Sequence, residues 1–316
     1  MKVIVTGGSS LLGRTVANLL VGRGDQVTCF QRRPSGSTAV DALGDIRDRA
    51  AVLRTCAGFD AIVHLAAMVA PRPAFDDAFA VNVTGTTHVL NAAADCGRLL
   101  HVSSPSVAFD DAPAIGAGAG RPDYVGRDTY TRTKAMAERL VLDSHTTPTV
   151  VVRPHLVWGP GDTQLIGRIV DRARQGRLAL PDHGRALVDT TFVDDAAAAV
   201  VAGLDRTADS EEALGRAWVV TGNDPRPLAE LVEGILAASG LAPSVRSLPA
   251  PIAALAGRGL DRWWPGTEPP LTHFAARQLS VAHWFDQSET QRVLRWTPRV
   301  GVDEGLARLA DWYASA

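Results

Sequence analysis

A β-branched run, Lys2-Val3-Ile4-Val5-Thr6, leads straight into the turn Gly7-Gly8-Ser9-Ser10-Leu11-Leu12-Gly13 and then into an apolar helical repeat. Few folds accommodate that order. A helix that begins in a glycine turn aims its unpaired N–H groups and its positive dipole end at whatever lies above the strand, which suits a pyrophosphate. Gly7 and Gly8 permit the tight turn, and Gly13 lets the helix settle closely on the strand. Ser10 stands where another glycine would let the backbone approach phosphate. Either its hydroxyl donates to a phosphate oxygen or its bulk pushes the ligand outward.

The same rhythm continues. Strands are expected at 2–6, 26–31, 61–65, 99–103 and 149–153, and helices at 11–23, 49–57, 75–96 and 131–143. Strands alternating with helices imply an α/β fold with a doubly wound parallel sheet, whose ligand site lies beyond the carboxyl ends of the strands. Beyond Pro154 the pattern loosens. Residues 158–162 (WGPGD) read as a turn, 163–175 as a helix, and 190–193 followed by 194–204 as one more strand and helix. The expected division is a dinucleotide-binding domain at 1–154, with 189–205 returning to it. A smaller substrate-binding domain takes 155–188 and 206–316. The apolar stretch 249–259 is short and proline-flanked, so it reads as a lid or core helix, with a membrane-surface contact as the alternative.

Composition narrows the function. Hydrophobic residues make up 46% of the 316 and charged residues 21%, values of an ordinary globular chain. The formal net charge of −2 offers no cationic surplus for a nucleic-acid backbone. Cys29, Cys56 and Cys96 are far apart and odd in number, which suggests no disulfide framework and points to a reducing cytoplasm. No apolar run is long enough for a secretory signal or a transmembrane helix.

The second strand ends at Gln31-Arg32-Arg33. An acid at position 31 would accept from an adenosine ribose and repel a 2′-phosphate. Gln31 removes that charge and the arginines, unless they are simply solvated, supply cations, so NADP(H) is expected over NAD(H). Asp45, in Gly44-Asp45-Ile46, is placed to accept from the adenine amino group or to cap a helix.

Lysine occurs only at 2 and 134, and tyrosine only at 124, 130 and 313. Tyr130 and Lys134 nevertheless lie four residues apart, on one face of the expected helix. A free phenol has a pKa of about 10. A neighbouring ammonium and an oxidised nicotinamide are expected to lower it, making the phenol an acid–base catalyst for a carbonyl. The hydroxyls of Ser103-Ser104-Pro105-Ser106 follow a strand directly and can bind the same oxygen.

These motifs resemble the extended short-chain dehydrogenase/reductases, which include nucleotide-sugar epimerases and 3β-hydroxysteroid dehydrogenases. The match runs nearly the whole length: TGGSSLLG, GDI at 44–46, HLAA at 64–67, NVTGT at 82–86, VSSPSV at 102–107, YTRTK at 130–134 and RPHLVWGPGD at 153–162. The resemblance implies a catalytic set of Ser104, Tyr130 and Lys134. It implies a cofactor lined by Gly7, Ser9, Ser10, Leu11, Leu12, Gly13, Arg32, Asp45, Ile46, Ala66, Ala67, Tyr130, Lys134 and Pro154, with Asn82 supporting the site. It implies no metal.

Within that group, SSPSV, RPHLVWGPGD and LVDTTFVDD at 187–195 most resemble two kinds of enzyme, the 2-alkyl-3-oxoalkanoate reductases and the sterol-4α-carboxylate 3-dehydrogenases. Both act on bulky apolar acids with an oxygen at the β-carbon. The segment 269–285, with Phe274, Trp284 and Phe285, would help to line such a pocket, or is plain core. His155, just past a strand, is expected to recognise the substrate carboxylate; the alternatives are the cofactor carboxamide and simple packing. The expected activity is reversible ketone–alcohol oxidoreduction on a bulky apolar small-molecule substrate, a β-keto or β-hydroxy acid or a steroid, by a chain that could pair as a homodimer. The competing readings are a nucleotide-sugar epimerase or dehydratase with retained NAD, and a non-catalytic dinucleotide sensor.

Overall fold

The computed structural model describes residues 1–70, 73–109, 112–121, 128–242, 245–264 and 272–315, apart from the side chain of Phe274. The first half alternates β1 (Lys2–Thr6), α1 (Leu11–Gly22), β2 (Gln26–Gln31), β3 (Val40–Leu43), α2 (Arg49–Cys56), β4 (Ala61–His64), α3 (Phe75–Phe79), α4 (Gly85–Cys96), β5 (Leu99–Val102), β6 (Ala114–Ala117), α5 (Thr129–Leu142) and β7 (Thr149–Pro154). Then follow β8 (Val157–Trp158), α6 (Ile166–Arg174), β9 (Ala179–Pro181), β10 (Leu187–Val188), β11 (Thr191–Phe192), α7 (Val193–Asp209), β12 (Ala217–Val220) and β13 (Arg226–Pro227). The chain ends with α8 (Leu228–Ala238), β14 (Arg246–Leu248), α9 (Ala250–Trp263), α10 (His273–Gln278), β15 (His283–Phe285), α11 (Ser288–Leu294) and α12 (Val302–Ser315).

Seven strands form the central sheet in the order β12-β7-β5-β4-β1-β2-β3, all parallel. Strand alternation sorts the β1 side chains. Val3 and Val5 join Val16, Leu20, Val200 and Leu204 of α1 and α7 on one face, while Ile4 joins Val52, Val89 and Ala93 of α2 and α4 on the other. Each such side chain is essentially water-free, which contributes on the order of 1.5–3 kcal/mol for each valine, leucine and isoleucine.

The strand order reverses between β1 and β4, so the crevice for a ligand opens above their carboxyl ends. Gly7 closes its floor. It has φ +77°, and a Cβ there would stand 2.8 Å from the Ala66 nitrogen, so the turn after β1 touches the chain after β4 only because position 7 lacks a side chain.

The expected domain division needs a correction. Residues 217–220 were assigned to the substrate-binding part, yet β12 pairs in register with β7 and forms the sheet edge. Val293, Leu294 and Trp296 also join the core beneath α7. Ala197, Val200 and Leu204 of α7 pack on the sheet. A second core gathers Trp158, Leu180 and Phe192 from β8, β9 and β11 with Ile166, Leu231, Ile235 and Leu309 from α6, α8 and α12. The Asp195 carboxylate, accepting from the Arg299 and Val300 amides, ties the C-terminal segment to α7.

The helix expected at 75–96 contains a wide turn. Ala80–Thr84 is π-helical and carries the buried Asn82. Such turns recur where a helix must present a side chain to a functional site.

Candidate active site

The glycine turn answers the question about Ser10. Its hydroxyl donates to the Gly7 carbonyl at 2.9 Å and accepts from the Gly13 amide at 3.0 Å. Ser10 is the N-cap of α1, so its hydroxyl proton goes to the Gly7 carbonyl. A Cβ on Gly13 would collide with the Gly7 carbonyl oxygen. Of the first-turn amides of α1, that of Gly13 is taken by Ser10, and those of Leu11 and Leu12 stand at the mouth of the turn, which fits a dinucleotide pyrophosphate.

The adenosine end departs from expectation in two ways. Asp41 on β3 brings a carboxylate beside Gln31, although the chain has no acid at position 31 itself. That carboxylate is engaged, accepting Gln31 Nε2 at 2.8 Å and the Ser35 amide. The Gln31 Oε1 atom is left buried and without a partner. Asp45 is gripped by Arg47, with Nη2 to Oδ2 at 2.6 Å and Nε to Oδ1 at 3.0 Å, so its carboxyl titrates below the usual range. It is not a helix cap; Asp48 caps α2 instead. Arg14, which the sequence reading passed over, runs its guanidinium 3.9 Å from where a Gly36 Cβ would lie in the β2–β3 connection. Arg32 and Arg33 are exposed there.

A directional hydrogen-bond chain runs from this crevice to the catalytic helix. Ala66 N–H donates to Thr6 Oγ1, and Thr86 Oγ1 donates to the Asn82 carbonyl. His64 lies between them, with Nδ1 2.7 Å from Thr6 Oγ1 and Nε2 2.9 Å from Thr86 Oγ1. Those two ends set the tautomer: Thr6 donates to Nδ1, and Nε2–H donates to Thr86. The Asn82 amide then accepts from Met68 N–H at 2.7 Å and donates to Thr133 Oγ1 on α5 at 3.0 Å.

Helix α5 begins at its Asp128 cap, which accepts from the Thr131 amide at 2.9 Å. That start is two residues earlier than expected and puts Tyr130 in the first turn. The Tyr130 hydroxyl is hydrogen-bonded to Ser104, and Ser104 Oγ lies 2.9 Å from Ser106 Oγ. Lys134 Nζ, buried, donates to the Val102 carbonyl at the end of β5 at 2.8 Å. The three expected catalytic residues are therefore together.

Their titration differs from expectation. Burial pushes the Tyr130 phenol up to about 12, opposed by the Ser104 hydrogen bond, rather than letting Lys134 pull it down. Burial also lowers the Lys134 ammonium to about 8, against the pull of Glu138. His64 and His101, with ring centroids 5.1 Å apart beneath the site, are both held neutral by burial and by Lys134.

The sequence reading also missed the support of this helix. Glu138, one turn beyond Lys134, grips the Arg153 guanidinium through both oxygens, with Nε to Oε2 at 2.9 Å. Both side chains are fully buried, and Arg153 also donates to the Ala119 and Gly120 carbonyls. The available signal was the i, i+4, i+8 spacing of Tyr130, Lys134 and Glu138.

Pro154 ends β7 against Val220. His155 follows it, buried, with Nδ1 2.6 Å from the Asp189 carbonyl and its ring 5.3 Å from that of Phe285. Burial lowers it to about 4. Phe285 is buried and Trp284 half-buried; residues 269–271 and the Phe274 side chain lie outside the described residues.

Comparison with known proteins gives a consistent pattern. The sequence profile of the NAD dependent epimerase/dehydratase family matches residues 3–220. A 2-alkyl-3-oxoalkanoate reductase of Stenotrophomonas maltophilia is 39% identical, covering 98% of each chain. A 4-hydroxy-2-methyl-3-oxo-4-farnesyl-3,4-dihydroquinoline-1-oxide ketoreductase of Stigmatella aurantiaca is 29% identical over 98% of this chain and 96% of its own. Among solved structures, a UDP-glucuronic acid 4-epimerase from Bacillus cereus in complex with NAD superposes with a TM-score of 0.77 at 19% identity, covering 100% of this chain and 99% of its own.

The electrostatics set a pH profile. Lys134 is charged below about 8 and neutral above it, so turnover that needs the ammonium falls as pH rises through that value. Glu138→Gln removes the pull that raises Lys134, so the alkaline limb moves to lower pH. The same change leaves Arg153 buried without its counter-charge, and denaturant unfolding is expected to show a loss of about 3–5 kcal/mol.

Proposed function

The chain belongs to the NAD dependent epimerase/dehydratase family and is an NAD(P)-dependent oxidoreductase, and from that premise we propose an NADPH-dependent reductase of a β-keto acid bearing a bulky apolar tail. The observation that carries this reading is the Tyr130 phenol, kept protonated in hydrogen-bonding contact with Ser104 and one turn from the Lys134 ammonium. A protonated phenol is a general acid, which suits carbonyl reduction. The names of the two relatives, a 3-oxoalkanoate reductase and a ketoreductase, support the same reaction class.

In this reading the nicotinamide, when bound, supplies the hydride. Ser104 hydrogen-bonds the substrate oxygen, Tyr130 donates its proton to that oxygen, and Lys134 stabilises the phenolate left behind. Asn82 and the His64 chain hold α5 against the cofactor crevice. The retained-NAD epimerase reading is less favoured, because no acid stands at position 31 to select the ribose. A sensor has no use for the assembled catalytic set. Three buried free thiols fit a reducing cytoplasm.

Tyr130→Phe keeps the ring and removes the proton. Turnover of a β-keto acid with NADPH is expected to fall about 10²–10⁴-fold with folding preserved. Near-normal turnover would overturn the mechanism.

Arg32, Arg33 and Arg14 support binding of a 2′-phosphate, while the absence of an acid at position 31 leaves no charge there to repel it. NADPH is therefore expected to be preferred, with NADH still used. Gln31→Asp with Arg32→Ala should reverse the order of their KM values; equal wild-type affinities would remove the basis for the preference.

His155 has Nδ1–H committed to the Asp189 carbonyl, leaving only Nε2 for a ligand. Its imidazole is neutral at pH 7, so a substrate carboxylate binds there with uptake of a proton. KM for the acid should then rise with pH, and His155→Ala should impair the β-keto acid but not its methyl ester. Equal loss on both would assign His155 to packing or to the cofactor.

A further inference from the structure

Helix α9 has two faces of different character. Its inner face is built from small residues, Ala253 and Gly257, both buried. The missing Gly257 side chain lets the His273 backbone of α10 come within 2.8 Å of the position a Cβ would occupy. His273 then donates from Nδ1 to the Ala254 carbonyl at 3.1 Å, and its amide donates to Asp261 Oδ2 at 2.8 Å. The outer face is apolar and exposed. Ile252 is 55% accessible, Leu255 69% and Trp263 78%, with Ala256 and Gly259 completing an i, i+3, i+4, i+7, i+11 stripe. Arg258 and Arg262 flank that stripe one turn apart, both exposed, and the Arg262 guanidinium sits 5.5 Å from the Trp263 ring centroid. The only acid on the helix, Asp261, is turned inward to His273. The outward face thus offers water only apolar side chains and cations.

We propose that this face of α9 docks on an anionic phospholipid surface, lying in the plane of the headgroups. An exposed apolar stripe with arginines beside it and a tryptophan at its end matches an interfacial helix. Its single sign of charge fits the anionic headgroups of a leaflet better than the mixed charge of a protein surface. No helix among the described residues is long and apolar enough to cross a membrane, so the contact is superficial. It also adjoins the site. Helix α10, welded to α9, leads into β15, whose His283 and Phe285 rings pack on His155. If the proposed β-keto acid is the substrate, the docked enzyme receives it at the lipid surface; the docking itself does not depend on that reading.

Flotation of the full chain with vesicles tests the proposal without any substrate. Vesicles of equal parts phosphatidylcholine and phosphatidylglycerol should carry the protein, and phosphatidylcholine vesicles should not. Leu255→Glu with Trp263→Glu, and separately Arg258→Glu with Arg262→Glu, should each weaken binding by about tenfold or more. Reduction of a water-soluble short-chain substrate should stay unchanged in both. The arginine pair keeps the test decisive if the first variant does not fold. No flotation with the anionic vesicles, equal flotation with both kinds, or unaltered binding in both variants overturns the proposal. So does a wild-type dimer that Leu255→Glu dissociates, since the occupant would then be a second copy of the chain.

Discussion

The buried Arg153–Glu138 pair governs how the site is assembled. It joins the end of β7 to the middle of α5, with both side chains withdrawn from water. Such a pair is a weak source of net stability, because desolvation offsets most of its Coulomb gain. Its value lies in position. Tyr130, Lys134 and Glu138 occupy one face of α5 at successive turns, so fixing the third fixes the other two. The same strand that supplies Arg153 supplies Pro154 and His155 at its end. One ion pair therefore sets α5 and the end of β7, the two sides of the candidate site, relative to each other.

The cofactor side is set by a different constraint, backbone proximity. Gly7 and Gly13 bring strand, turn and helix closer than any side chain would allow, and Ser10 locks the turn with two hydrogen bonds. From there the Ala66–Thr6–His64–Thr86–Asn82–Thr133 chain carries orientation to α5. The Ala66 amide at one end and the Thr86 bond to the Asn82 carbonyl at the other set the His64 tautomer. A dinucleotide in the crevice and a substrate at Tyr130 would thus be positioned by one continuous framework.

Much of this was legible from residue order. The β1 and β2 boundaries and the parallel sheet follow from periodicity, the Tyr130–Lys134 pair from its spacing, and the choice of Ser104 beside them from the family resemblance. What was not legible depended on long-range pairing. β12 is a short apolar run with no helix signal to mark it as part of the sheet, and only its register with β7 places it there. Asp41 became relevant through β3 lying beside β2, since its distance from Gln31 in sequence is ten residues. Ser10 was read against phosphate because the motif draws attention to ligands; the capping geometry that claims its hydroxyl is visible only in three dimensions. The phenol was expected to be lowered because a sequence shows the neighbouring lysine but not the burial that outweighs it.

That last difference bears on how the site would work. Burial separates the two titrating groups in a useful direction: the phenol is held neutral and the ammonium remains charged at pH 7, with His64 and His101 both neutral beneath them. No second cation from those rings competes with Lys134. Before proton transfer, the ammonium and the neutral phenol attract only weakly. After it, a phenolate lies one helical turn from the ammonium in a medium that screens poorly, so the attraction appears only as the reaction proceeds. An environment that lowered the phenol's pKa in advance would spend this attraction in the resting enzyme. In the proposed reduction the phenol thus stays protonated until transfer, and Lys134 contributes most in the transition state.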